Sequence, residues 1–396
     1  MKVTLSVGPG PYSQDLINQL GAHGVLDRVL YSWPTASLHR WNPEKRRLEM
    51  DRSLPLYPFL VRAIWAAWTR LPGVGRHRTP QVLIDRAFDT WAATHIGRPD
   101  VFVGWSQISL RSLRTARARG ISTVLEHPIL HAALWQELMA EEYARYSPAA
   151  ASTPSLWPAA MTRRMTAEYE LADAIVVPSS AAVRSFEERG VTSRKLLRIP
   201  FGVSADDFTP ADSPDRGGPV RFLFVGRVEL LKGVHYLLEA FAALPRSAAE
   251  LWLVGPVLPE MEDILARHAG PAVKVVGGVG RNEVLQYYRR ADALVFPSLC
   301  DGFGIVMLEA MACGLPVLTT LNTGGPDLIE EGQTGFVVPI RDAKALTERM
   351  GWIISHRRDL PEMGRVGRET VAAKFTLAQY GDAAVNAYRT AWERRA

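Results

Sequence analysis

The 396-residue sequence holds only two cysteines, Cys300 and Cys313, too few for a disulfide framework and at no metal-binding spacing. No apolar run approaches the roughly 20 residues of a bilayer-spanning helix. The opening Met1-Lys2-Val3-Thr4-Leu5-Ser6-Val7-Gly8 reads as a strand and a turn. It lacks the basic segment and long apolar stretch of a secretory leader, so none is expected. The glycines of Gly8-Pro9-Gly10-Pro11 do not make a GxGxxG, which argues against a dinucleotide enzyme. His127 and His131 lie four apart without an HExxH pattern, so no metal site is expected. Repeats and low-complexity tracts are absent. Sparse thiols and no leader lead to the expectation of a cytoplasmic protein, with peripheral contact at the cytoplasmic membrane face left open.

Apolar residues make up 47% of the chain and charged residues 22%, enough for two cores and inconsistent with wholesale disorder. The net charge is +5. It divides unevenly, roughly +8 over residues 1–199 and roughly −3 over the remainder. The positive charges are mostly scattered arginines, which fit a solvated surface, an anionic membrane or an anionic acceptor better than a nucleic-acid footprint; no nucleic-acid partner is expected. Between Phe59 and Arg78, Trp65 and Trp68 interleave with arginines. That pattern suits either a core helix or an interfacial one.

The second half alternates short apolar runs with helical periodicity. Strands are expected at Val220 to Val225, Leu251 to Val254, Val273 to Val276, Ala293 to Phe296 and Leu315 to Leu318. Helices are expected at Gly233 to Leu244, Met261 to His268 and Asn282 to Arg290. Such alternation implies an α/β doubly wound parallel sheet with ligands at the carboxyl ends of its strands. The first half offers strands at Val3 to Val7, Val29 to Trp33, Val101 to Trp105, Thr123 to Glu126 and Ala174 to Val177. A second α/β domain is the economical assignment. The expected division is residues 1–200, residues 201–375 and an amphipathic terminal helix within 376–396. Residues 41–80 read as an insertion and Ser147 to Pro158 as a loop.

Two segments carry the chemistry. In Pro297-Ser298-Leu299-Cys300-Asp301-Gly302-Phe303-Gly304-Ile305-Val306-Met307-Leu308-Glu309, two acids stand eight positions apart around a glycine-flanked turn between a strand and a helix. Such a turn presents unpaired N–H groups to an anion, and carboxylates accept hydrogen bonds from sugar hydroxyls. In Gly226-Arg227-Val228-Glu229-Leu230-Leu231-Lys232-Gly233, two cations five residues apart follow the strand at 220–225. Preplaced cations stabilise charge developing on a leaving diphosphate.

Together these segments resemble the signatures of the retaining GT-B glycosyltransferases, glycosyltransferase family 4 (group 1). The resemblance covers most of the C-terminal half. It implies a GT-B fold, two Rossmann-like doubly wound domains facing across a cleft, with the last helix crossing back to the first domain. The usual first acid of the signature is Glu; here it is Asp301. By resemblance, Arg227 and Lys232 bind the donor diphosphate and Glu309 the ribose. Asp301 and the backbone at Phe303 and Gly304 face the sugar, and the amides of Ile305 and Val306 hold phosphate. Gly226, Gly302 and Gly10 belong to the donor site, and His127, in Glu126-His127-Pro128, to the transferred sugar. Arg227, Lys232, Asp301 and His127 form the expected catalytic set. Asn322-Thr323-Gly324-Gly325-Pro326-Asp327 resembles the family's supporting loop near the nucleotide.

The implied reaction is retaining transfer of a sugar from a nucleoside diphosphate-sugar to a hydroxyl of a glycan, lipid-linked or small-molecule acceptor. A UDP- or GDP-sugar would be the co-substrate, and no cofactor is expected. A nucleotide-sugar epimerase or phosphorylase of similar fold, and a non-catalytic nucleotide-sugar-binding protein, are the alternatives.

Overall fold

A computed structural model describes residues 1–8, 10–32, 81–146, 159–211, 217–245, 247–268 and 270–395. The first sheet comprises β1 (Val3–Val7), β2 (Leu26–Tyr31), β3 (Val101–Trp105), β4 (Ser122–Glu126), β5 (Ala174–Val177) and β6 (Leu196–Arg198), ordered β2-β1-β3-β4-β5-β6. The second comprises β7 (Val220–Val225), β8 (Ala249–Val254), β9 (Val273–Gly277), β10 (Ala293–Phe296), β11 (Val317–Thr320) and β12 (Gly335–Val338), ordered β12-β11-β10-β7-β8-β9. Neighbouring strands pair in parallel in both sheets. Helices cover both faces of such sheets, so strands buried on both sides read as continuous apolar runs. Every residue of β1, β4, β5, β10 and β11 is buried. In each sheet the order reverses beside the first strand, at β1 or β7, and opens a crevice at the carboxyl ends.

The differences from the sequence reading are local. β2 starts earlier than Val29 because it is an edge strand whose first residues, Leu26 to Arg28, are not buried; an all-apolar criterion misses such a start. Trp33 lies outside the described residues, as do 41–80, with Trp65 and Trp68, and Ser147 to Pro158. β11 starts at Val317, after Pro316. The helix expected from Met261 opens as a 3₁₀ turn at Pro259–Met261 and continues as Glu262–Arg267.

The chain passes between the sheets twice at one point. Val203 N donates to Phe375 O at 2.9 Å. A Cβ on Gly202 would lie 2.3 Å from Thr376 O, so only glycine fits there. Thr376 caps the terminal helix Leu377–Glu393, accepting from Gln379 N at 3.2 Å. This helix packs on helix Pro11–Ala22 and on β4 of the first sheet. Buried Tyr388 donates to Glu126 at 2.5 Å, and Ser122 Oγ to Ala391 O at 3.1 Å.

Two further contacts hold the halves together. Glu142, fully buried on helix Ala132–Tyr146, accepts from Arg341 Nε at 2.5 Å, from Tyr236 and, at 2.9 Å, from His235 Nε2. Asp327 accepts from Ser180 N at 2.7 Å and pairs with Arg198. Asp327, in the first turn of the short helix Gly325–Leu328, thus ties its loop to the first half. Among the described residues no helix is long and apolar enough to cross a membrane.

Candidate functional site

The site begins where β10 ends. The chain turns through Pro297 to Gly304 and enters helix Ile305–Ala312. Gly304 caps that helix with φ +86, and a Cβ there would meet the Phe296 ring at 2.7 Å. Glycine alone satisfies both demands. Met307 N already bonds Gly304 O at 2.9 Å, leaving the half-buried Ile305 and Val306 as the helix's leading residues. Asp301 is fixed on three sides. Its backbone N donates to Asn322 O at 2.9 Å, Oδ1 accepts from Phe303 N at 3.1 Å, and Oδ2 accepts from Lys232 Nζ.

Lys232 reaches Asp301 because two loops touch. It ends the 3₁₀ turn Leu230–Lys232, and the next residue, Gly233, has φ +66. A Cβ on Gly233 would sit 2.0 Å from Pro297 O. The Lys232 ammonium also lies 5.4 Å from the Phe296 ring centre, within cation–π range. Arg227 is more open, its side chain 58% exposed, and pairs with the nearly buried Glu229. Gly226 lies where the loops after β7 and β8 come together: Gly255, with φ +144, would place a Cβ 1.8 Å from Gly226 O. Glu309, one helical stretch beyond Asp301, accepts from the buried Tyr288 hydroxyl at 2.8 Å.

The first half faces this cluster. A Cβ on Gly302 would lie 1.9 Å from Pro128 O, so the turn abuts the loop after β4. Tyr12, two residues past the exposed Gly10, stacks on Phe201 at 4.1 Å, and Phe201 meets Phe303 edge-on at 5.8 Å. Burial, with Asp301 and Glu309 nearby, raises the Tyr12 pKa and keeps the phenol protonated. Gly10 accepts Ser13 Oγ at 2.6 Å and heads helix Pro11–Ala22.

The structure therefore brings Lys232 to the turn that holds Asp301, Gly302 and Gly304 and leads into Ile305, Val306 and Glu309, while Gly226 and Arg227 lie earlier in the loop that carries Lys232. Phe303 departs from expectation. Its ring is fully buried, its N–H serves Asp301, and its carbonyl accepts Gly324 N at 2.8 Å, so its backbone groups are already engaged. His127 also departs from it. The ring is fully buried edge-on between Tyr169 and Phe186, with Nε2 on Leu130 O at 3.0 Å. Burial lowers its pKa to about 3, so it stays neutral. Its Nδ1 has no partner among the described residues. His131 accepts Ala133 N at 3.2 Å and is held neutral by burial, its pKa lowered to about 4. Cys300, buried beside Asp301, has its thiol pushed up to about 12 by burial.

Sequence reasoning missed Tyr288, Glu229 and Tyr12. Tyr288 reads as ordinary helix periodicity, and Glu229 as a spacer between the two cations. Tyr12 had one usable signal, its position two residues after Gly10.

Residues 206–370 match the family model described as glycosyl transferases group 1. Over 247 residues the chain is 30% identical to D-inositol 3-phosphate glycosyltransferase of Geodermatophilus obscurus, covering 57% of this chain and 54% of that protein. The chain spans about half the length or less of the first curated relatives it matches. It superposes on sucrose-phosphate synthase from Thermosynechococcus elongatus with TM-score 0.71, 20% identity and 100% of both chains covered. On Anabaena HepE, solved in complex with UDP-glucose, the TM-score is 0.68 at 17% identity, covering 98% of this chain and 100% of that one. Identities this low speak to the fold: it is GT-B, with the two sheets facing across a cleft.

Proposed function

We propose that this protein is a retaining glycosyltransferase that moves a sugar from a nucleoside diphosphate-sugar to a hydroxyl acceptor. The observation that carries the reading is the contact of Lys232, on the loop that also carries the exposed Arg227, with Asp301 in the turn that opens helix Ile305–Ala312, on which Glu309 lies. Cations and unpaired helix amides suit a diphosphate. A carboxylate on each side suits hydroxyls, which donate to it. The match of residues 206–370 to group 1 glycosyl transferases and the likeness to a protein crystallised with UDP-glucose support a nucleotide-sugar donor.

In this reading Glu309, steadied by Tyr288, takes the ribose hydroxyls. Lys232 and Arg227 turn from Asp301 and Glu229 toward the diphosphate when the donor enters. Asp301, still aimed by the Phe303 amide, is then released to the sugar. As the glycosidic bond lengthens, the two cations and the helix end stabilise charge growing on the departing phosphate. That phosphate accepts the acceptor's proton on the same face of the sugar, which gives retention. The acceptor enters from the first domain, past the loop of Pro128. A cytoplasmic location, with or without peripheral membrane contact, belongs to the same proposal.

Incubation with UDP- and GDP-sugars, following release of the nucleoside diphosphate, tests the reading. Release from at least one donor, lost in Lys232→Ala, is the expected result. A folded protein that binds no nucleoside diphosphate and turns over no donor contradicts it.

A further inference from the structure

We infer that Gln107 selects the acceptor, held over a first-domain cavity by a buried Asp89–Arg164–Glu168 brace, and that the group it selects is an uncharged, hydroxyl-bearing ring such as a sugar or cyclitol. This rests on the reading that the acceptor enters from the first domain.

The starting observation is backbone strain. Gln107 has φ +83, a left-handed conformation that disfavours any residue with a Cβ. Both of its backbone groups are pinned. Its N–H donates to Glu168 Oε2 at 2.7 Å, and its carbonyl accepts from Arg164 Nε at 2.7 Å. Ser109 N occupies the other Glu168 oxygen at 2.9 Å. Arg164 also pairs with Asp89, which in turn accepts from Arg111 N at 2.7 Å and Ser112 N at 2.8 Å. The side chains of Glu168, Asp89 and Arg164 are 0%, 1% and 10% exposed.

Burying the Asp89–Arg164 pair with Glu168, whose carboxyl is pushed up to about 8 by burial, is costly, and the strain adds to that cost. A glycine at 107 would relieve the strain, and apolar packing would remove the buried charges. The arrangement makes sense if the Gln107 side chain has a task that glycine cannot perform.

The place of Gln107 in the fold indicates the task. Gln107 lines a cavity of about 230 Å³ together with Trp105, Ser106, His127, Pro128 and Ile129. The same Pro128 and Ile129 backbone meets Gly302, next to Asp301. The cavity therefore opens beside the place where the donor sugar would lie.

The chemistry of the wall indicates the ligand. A primary amide both donates and accepts, as a hydroxyl does. His127 donates through Nε2 to Leu130 O, which leaves Nδ1 as a buried acceptor without a partner among the described residues. Phosphate and carboxylate would bring it only more acceptors. Trp105 adds an apolar surface for the C–H face of a ring.

The test uses methyl α-D-glucopyranoside and myo-inositol as neutral probes, with inorganic phosphate and glucose 6-phosphate as charged ones. Saturation-transfer NMR is recorded in the presence of UDP or GDP, whose own affinities are titrated in parallel. Saturation transfer to at least one neutral probe, not displaced by phosphate, is the expected result. Gln107→Gly should raise Tm by roughly 1–4 °C through relief of strain. It should weaken the neutral probe about tenfold through loss of the amide contacts, with nucleotide affinity unchanged. A merely structural glutamine would not give a more stable protein that binds its probe less well.

Glu168→Gln should weaken the probe in the wild type but add nothing in the Gln107→Gly background, as a positioning residue must. The proposal is overturned if Gln107→Gly lowers Tm or leaves probe binding intact. It is also overturned if only the phosphorylated probes bind, or if no neutral probe binds. Failure of both UDP and GDP to bind the wild-type protein would instead sink the donor-site reading beneath it.

Discussion

Lys232 donates to Asp301 across the gap between the loops after β7 and β10, so in this state the two residues satisfy each other. Under the proposed function, a diphosphate entering the site would draw the lysine away, and the carboxylate would then face the sugar that the diphosphate carries. Removing Lys232 takes away one preorganised cation. Lys232→Ala or Arg227→Ala should lower turnover by about 10²-fold or more. Neither residue is packed in the core, so both variants should fold. Steady-state nucleoside diphosphate release decides this, and unchanged turnover in a folded variant would remove the donor-site assignment.

The two acids should separate by role. Glu309→Gln removes the charge that would accept from ribose, which is common to all donors sharing one nucleotide. Charged hydrogen bonds are worth roughly 1.5–3 kcal/mol, so free nucleoside diphosphate should bind about ten- to a hundredfold more weakly. Asp301→Asn should spare diphosphate affinity and depress transfer, and Asp301→Glu should shift the preferred sugar. Calorimetric titration beside transfer assays with two donors reads both effects. Equal loss of diphosphate affinity in the two variants would merge the roles.

Stereochemistry supplies a test independent of mutation. With an α-linked nucleotide-sugar the product should also be α, read from the anomeric proton signal at early times. A β product would contradict the retaining assignment.

Gly302 makes a mechanical prediction. A methyl group there would collide with Pro128 O, which lies only 1.9 Å from the Cβ position. The collision is with backbone and cannot be relieved by a rotamer change. Gly302→Ala should force the halves apart while each keeps its core. Small-angle scattering should show a larger radius of gyration, and transfer should fall more steeply than diphosphate affinity. An unchanged radius together with full activity would show that the contact is dispensable.

Glu126 should leave a mark on the pH dependence of stability. It is buried beneath the terminal helix, facing Tyr388 and Tyr380, and burial raises its pKa to about 7 despite the Tyr388 hydrogen bond. The folded state then holds the proton more tightly than the unfolded chain does. The resulting stabilisation is complete below the ordinary carboxyl value and is lost as pH rises through about 7. The melting temperature of the wild type should decline between about pH 4.5 and 7 more steeply than that of Glu126→Gln. Parallel slopes would show that Glu126 does not titrate in that window.

Much of the frame was legible because burial on both faces leaves continuous apolar runs. Val101 to Trp105 and Ala293 to Phe296 are strands over those same residues. The acidic turn was legible because its glycines are local requirements: Gly304 answers to its own φ and to Phe296, eight residues away. What was hidden depends on distant partners. Arg341 meets Glu142 across 199 residues, and Asp327 meets Arg198 across 129. No periodicity links such positions. Gly302 has a local reading as part of an anion-binding turn, but its sharpest constraint comes from Pro128, in the other half of the molecule. His127 illustrates the opposite limit. Its resemblance to the family's histidine suggested a polar contact to the transferred sugar, whereas Tyr169 and Phe186, distant in sequence, pack edge-on against its ring.

The adjacent crossings at Val203 and Thr376 bear on how this molecule is made. During synthesis, strands β1 to β6 leave the ribosome before β7 to β12, yet the helix that covers Glu126 and packs on Pro11–Ala22 follows both sets. The middle of the chain, from β7 to Lys374, is contiguous and can collapse on its own. The earlier half must wait with an apolar strip uncovered until the helix Leu377–Glu393 has been made. Order of synthesis and order of completion are therefore inverted, and a ribosome stalled near residue 375 would hold a finished second half beside an unfinished first.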